Sequence, residues 1–187
     1  GLPPDNIIQK ESEIVADIRR LIKLYHDDSS GAMTRIALAP CSPFSVTIEL
    51  MQMVVKLADE FNLQIHTHLA ETLDEEKFCI ENYGLRPFAL LKNLGWIRPN
   101  AWFAHSIYLN ESEIAEMGAV GCGVSHCPTS NMRLGSGIAQ IREMLDAGVN
   151  VSLGVDGSAS NDSSNMLLEL RNAMLVSRLR QKDEWLT

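Results

Sequence analysis

The chain has 187 residues, enough for one sizeable core, with 45% hydrophobic and 21% charged residues, proportions ordinary for a soluble globular protein. Its net charge of -8 argues against nucleic acid or an anionic membrane as a partner, and no apolar run is long enough to span a bilayer. The four cysteines, Cys41, Cys79, Cys122 and Cys127, form no C-x-x-C pair, and no signal peptide opens the chain, so a reducing, cytoplasmic setting is expected rather than a disulfide scaffold.

Gly1 stands where a methionine would open a gene product, so the sequence is expected to be a fragment; no low-complexity segment or long linker divides it. Gly1-Leu-Pro-Pro-Asp5 predicts a stiff, extended or turning lead-in. From Glu13 onward Ile14, Ile18, Leu21, Ile22 and Tyr25 recur at helical spacing, and the polar run from His26 to Gly31 ends that helix. Arg35 to Pro40 is a short apolar run consistent with a buried strand, Cys41 to Phe44 a loop, and Thr47 to Phe61 an amphipathic helix.

Leu63 to Thr72 then alternates apolar residues with His66 and His68, which a strand presents on one face. Thr72 and Glu75 have capping-box spacing, so this strand ends near His68, and Glu71 sits on the short link to a helix. Arg86-Pro87 opens a further helix that Gly95 closes. Ala101 to His105 is a strand ending in histidine. Asn110 with Glu113 predicts an N-cap and Gly118 a C-cap. Gly121 to His126 is a strand running into the loop Cys127 to Asn131, Ser136 to Asp146 is helical, and Asn150 to Asp156 is a fifth strand ending in aspartate. A last helix is predicted from Asp162 to Arg180.

Short apolar strands alternating with amphipathic helices imply a parallel α/β sheet. Five such units are too few for a closed eight-stranded barrel. A doubly wound open sheet also fits, although no Gly-x-Gly-x-x-Gly turn supports nucleotide binding. Four of the five strands end in a residue able to bind metal or move protons: His68, His105, His126 and Asp156. Glu71 lies three residues past the first of them. Strand carboxyl ends converge on the active site in parallel α/β folds, so these residues predict a catalytic metal centre. Cys127, Pro128, Ser130 and Asn131 offer His126 a second role, as an anchor for its loop, and His26 is expected merely to end a helix.

His-Leu-Ala-Glu at 68–71, Ala-His at 104–105, His-Cys-Pro-Thr-Ser-Asn at 126–131, Leu-Gly-Ser-Gly at 134–137, Leu-Gly-Val-Asp-Gly at 153–157 and Ser-Asn-Asp at 160–162 occur in one order. In this the sequence resembles the carboxyl-terminal part of the barrel of an amidohydrolase-superfamily enzyme, in the group of guanine deaminases and triazine hydrolases. Gly-Leu-Pro-Pro-Asp at 1–5, Tyr-His-Asp at 25–27 and the run from Ala39 to Thr47 resemble the 8-oxoguanine deaminases and hydroxyatrazine hydrolases more particularly. The resemblance implies a partial TIM-type barrel, about strands four to eight, with residues 1–187 forming one fragment that lacks the first strands and the terminal β-sandwich.

It further implies one zinc (iron being chemically possible), with His68 and Asp156 as metal ligands. Glu71 is then the proton shuttle, His105 the residue that polarises the attacking water, and Asp156 the acceptor of its proton. Glu71 and His126 are expected against a small heterocyclic substrate, and His66 packs deeper. Hydrolytic deamination is the implied reaction. Pro43 stands where guanine deaminases carry arginine, so an oxidised purine or a triazine is a better substrate than guanine. The first-strand His-x-His of the family is absent, and the alternative is a truncated, non-catalytic half-barrel. Exposed sheet edges predict a homo-oligomer, or a longer chain that covers them.

Overall fold

The computed structural model describes residues 8–180 and 185–186, and the Gly1–Asp5 lead-in lies outside them. Five parallel strands form one sheet: β1 (Ala37–Leu38), β2 (Gln64–Leu69), β3 (Ala101–His105), β4 (Gly123–His126) and β5 (Asn150–Leu153). Their order in the sheet is their order in the chain. A doubly wound sheet reverses direction at a switch point, whereas an unbroken succession is the arrangement of a barrel segment. The fold is therefore α/β and a partial (β/α) barrel.

Helices α1 (Glu11–Tyr25), α2 (Ile48–Phe61), α3 (Leu73–Tyr83), α4 (Pro87–Asn93), α5 (Glu111–Val120), α6 (Pro128–Leu134), α7 (Ile141–Asp146) and α8 (Met166–Ser177) fill the connections. On β2, Ile65, Thr67 and Leu69 are fully buried, while His66 and His68, on the opposite face, are half-buried. The core joins those strand residues and Phe103 to Met51, Leu57 and Trp96, whose indole Nε1 donates to the Met51 carbonyl at 3.2 Å. Each Leu or Phe so buried contributes about 1.5–3 kcal/mol.

Several termini follow the sequence. Thr47 caps α2 by accepting from the Leu50 N–H, and the Asn110–Glu113 capping box of α5 is complete. Others do not. Gly118 is inside α5, and Gly121, at φ 84°, closes that helix. Gly118 is small for another reason: a Cβ there would lie 1.9 Å from the Ala147 carbonyl oxygen. The expected loop after β4 is instead the helix α6, with Pro128 in its first turn and Gly135 at φ 68° as its end. Helix α7 begins at Ile141 rather than Ser136. Helix α8 begins at Met166, where Asn165 accepts from the N–H groups of Leu167 and Leu168. Strand β5 stops at Leu153, so Asp156 lies on the loop beyond it.

A candidate metal centre at the strand ends

The first element of the site is the β2 exit. His68 Nδ1 lies 2.5 Å from the Cys41 carbonyl oxygen, which also accepts from the His68 N–H at 3.0 Å and from the Thr67 hydroxyl at 3.1 Å. A carbonyl only accepts, so Nδ1 carries a hydrogen and Nε2 is the ring nitrogen left without this bond. The Cys41 side chain beside this imidazole raises its pKa to about 9, although burial pulls the other way.

Past His68 the chain turns through Ala70 at φ 51°. Thr72 accepts from the Glu75 N–H at 3.2 Å, as the capping-box spacing predicts. Glu75 does not return the bond. Its buried carboxylate instead takes the N–H of Ala70 at 3.0 Å and of Glu71 at 2.8 Å. Burial pushes the Glu75 carboxyl up, while those two N–H groups pull it down. The clamp fixes the backbone that carries Glu71, whose Oε1 is met by the Ser136 hydroxyl at 3.5 Å.

Strand alternation alone would send His105 into the helix layer with Phe103. A positive φ of 66° at His105 redirects its side chain, which is 1% exposed. Its ring stacks against His68 at 5.2 Å between centroids. Its Nδ1 lies 2.8 Å from Asn131 Oδ1, so Nδ1 carries the hydrogen and Nε2 faces inward. Nε2 is 3.7 Å from Glu71 Oε2 and 3.8 Å from Asp156 Oδ2.

Asp156 has φ 62°, the fourth left-handed residue in these turns after Ala70, His105 and Ser106. Such backbone costs on the order of 1–3 kcal/mol per residue and concentrates at functional sites. Its Oδ2 accepts from the Ser130 hydroxyl at 2.5 Å and the Ser160 hydroxyl at 3.1 Å. Burial would raise this carboxyl. The Ser130 hydroxyl, the Gly157 N–H, His105 and Ser160 together hold it below its ordinary range. Ligand atoms of His68, His105 and Asp156 all lie within 4.8 Å of one another, two nitrogens and one oxygen of the kind that bind zinc.

The structure thus brings together His68, Glu71, His105 and Asp156. It does not bring His126 to them, against the expectation that His126 meets substrate. Alternation on β4 turns His126 with Val124 into the helix layer, where it lines an apolar groove with Ile141, Leu153 and Ala173. Burial drives its pKa down to about 4, and among the described residues its Nδ1 has no partner. His66 packs as expected, stacked on Trp102 at 4.8 Å with Nδ1 near the Trp102 carbonyl. His26 ends α1, and its Nδ1 accepts from the Ile36 N–H.

Sequence reasoning missed the residues that hold these groups: Glu75, Ser130, Asn131 and Ser160. Pro128 at a first helical turn was the available signal, since it turns Ser130 and Asn131 from loop residues into two side chains on one short helix.

A sequential parallel sheet with histidines and a carboxylate gathered at its strand ends is a barrel segment that carries a candidate metal centre. The chain belongs to the amidohydrolase family, whose profile matches residues 1–185. It is 51% identical over 187 residues to 8-oxoguanine deaminase of Pseudomonas aeruginosa, covering 100% of this chain and 42% of that protein. It is 42% identical over 167 residues to an isoxanthopterin deaminase from an unknown prokaryotic organism, covering 89% and 35%. Its fold matches the zinc-complexed atrazine chlorohydrolase of Arthrobacter aurescens with a TM-score of 0.92 and 33% identity, over 100% of this chain and 42% of that one. The chain therefore spans less than half the length of these relatives.

Proposed function

We propose that the complete protein is a zinc-dependent aminohydrolase that deaminates an amino-substituted nitrogen heterocycle, converting 8-oxoguanine to uric acid and ammonia. The observation that carries this reading is the convergence of His68, His105 and Asp156 within 4.8 Å, with Glu71 beside them. The 51% identity to an 8-oxoguanine deaminase supports the substrate. Residues 1–187 are read as one piece of a single barrel, with the first-strand His-x-His pair and a terminal β-sandwich in the rest of the protein.

Zinc fits the donors present. His68 offers Nε2 because Nδ1 is tied to a backbone carbonyl, the arrangement that orients metal-binding histidines. Asp156 offers a carboxylate held ionised by its hydroxyl donors. A bound zinc would supply the Lewis acidity that lowers the pKa of water toward about 7.

The remaining work falls to the chain's own side chains. Asp156 accepts a proton from the attacking water, and His105 polarises that water through Nε2. Glu71, in its protonated form, donates to the ring nitrogen next to the amino-bearing carbon. The carbon can then accept the oxygen and release its amine, which leaves as ammonia after taking a second proton from the site. The four free cysteines fit a reducing, cytoplasmic setting, and among the described residues no helix is long and apolar enough to cross a membrane. Exposed Leu167, Leu170 and Met174 along α8 support association, with the rest of the barrel or within a homo-oligomer.

The test is release of ammonia from 8-oxoguanine, guanine and isoxanthopterin, and of an alkylamine from hydroxyatrazine, by the zinc-loaded complete protein. Uric acid from 8-oxoguanine is the expected result. Release of an amine from hydroxyatrazine alone would favour a triazine hydrolase, and no release from any of them would contradict an aminohydrolase.

A further inference from the structure

A fully buried carboxylate, Glu169 on α8, lies outside the catalytic group and is unused by the proposed mechanism. Its two oxygens go to two different segments. Oε2 accepts from the Thr129 N–H at 3.1 Å, in the first turn of α6, and Oε1 accepts from the Asn161 side-chain amide at 2.7 Å, on the loop after β5. The residue next to Thr129 is Ser130, and the residue next to Asn161 is Ser160. Those two hydroxyls both donate to Oδ2 of Asp156, the oxygen that faces His105.

We propose that Glu169 is a positioning residue for Asp156. It locks the two serines that fix the orientation of that carboxylate, without touching the reacting atoms itself. The inference rests on Asp156 being a metal ligand and proton acceptor.

Two further features fit this assignment. Burying a carboxylate is expensive unless its oxygens are satisfied, and a leucine at this place would fill the same space with no such cost. Glu169 is satisfied only by joining α6 to the β5 exit, the two segments that carry the donors to Asp156. Helix α6 is anchored a second time from α8, where the Asn172 amide donates to the Thr129 hydroxyl at 2.8 Å. The same short helix carries Asn131, which orients His105. Thr129, Ser130 and Asn131 therefore connect α8, Asp156 and His105 in three consecutive residues.

The experiment uses the complete protein and reads zinc affinity by competition with a chromogenic chelator, together with kcat, KM and thermal midpoint. Glu169→Gln is expected to weaken zinc affinity by about 10–100-fold and to lower kcat with KM nearly unchanged, the usual scale for residues behind a metal ligand. Ser130→Ala/Ser160→Ala is expected to do the same. Adding Glu169→Gln to that pair should cost little more, because all three changes release the same carboxylate. A Glu169→Gln protein that melts lower yet binds zinc and turns over normally would overturn the proposal, as would losses that multiply in the triple variant.

If Glu169→Gln does not fold, Asn161→Ala cuts the same link at its other end and is expected to weaken zinc binding to a similar degree. Normal zinc affinity there overturns the proposal equally. Asp156→Asn separates the two readings. If it leaves zinc and turnover intact, the functional assignment of Asp156 fails. If it abolishes them while Glu169→Gln does not, only the positioning role fails.

Discussion

His105 is tied through Nδ1 to the side-chain oxygen of Asn131, 2.8 Å away, and this single bond decides which ring nitrogen faces the site. With the hydrogen on Nδ1, Nε2 is free to accept a proton or to hold one between Glu71 and Asp156. Replacing Asn131 with Ala leaves a buried Nδ1–H unpaired and lets the ring turn. The expected stability cost is about 1–3 kcal/mol. Turnover of the complete protein should fall by about a hundredfold, the scale of a misplaced catalytic group. Denaturant unfolding and steady-state kinetics check both, and normal turnover in Asn131→Ala would show that the bond is not needed.

Glu71→Gln keeps the shape of the side chain and its contact with Ser136 but cannot carry a proton. Zinc content should remain that of the parent protein, and kcat should drop by about a hundredfold or more. Near-normal turnover would reduce Glu71 to an ordinary loop residue.

Acid should destabilise the fold through His126. Burial lowers its pKa from an ordinary 6.5 to about 4 in the folded chain. Between those values the unfolded chain binds a proton that the folded one does not, so stability rises with pH. The slope is about 1.4 kcal/mol per pH unit, which amounts to a loss of about 3 kcal/mol as pH falls through this window. Above the upper value the contribution is constant. His126→Leu should flatten the dependence, and an unchanged slope by urea unfolding at a series of pH values would locate the acid sensitivity elsewhere.

Gly118→Ala should destabilise the chain by at least about 1–3 kcal/mol, because the added methyl has to displace a backbone carbonyl rather than a mobile side chain. A thermal midpoint equal to that of the parent protein would contradict the close approach of α5 to Ala147.

The alternation of short strands and helices was legible in the sequence because each carries its own period and its own punctuation. So were the residues that the structure gathers at the strand ends, since histidines and an aspartate in such places are rare enough to be noticed. The supports were not legible. Ser130, Asn131 and Ser160 are common polar residues whose meaning comes from tertiary contacts with residues 25 or more positions away, except for Ser160, which folds back on Asp156 within its own loop. His126 stands at a strand end like the others, yet the structure sets it apart from them. The difference is backbone: His105 and Asp156 take left-handed φ values, whereas His126 keeps the strand's alternation and turns into the helix layer. Glu75 was read correctly as a helix-start residue and wrongly as closing a capping box, because spacing does not reveal that Ala70 and Glu71 compete for its carboxylate.

The central claim is that His68 and Asp156 hold a catalytic zinc. Its most direct test is elemental analysis of the complete protein and of its His68→Ala and Asp156→Ala variants after equilibration with zinc and removal of loosely bound metal. Stoichiometric zinc in the parent protein and loss of both zinc and deaminase activity in each variant is the predicted result. Full zinc occupancy in either variant would contradict the assignment of that residue as a ligand.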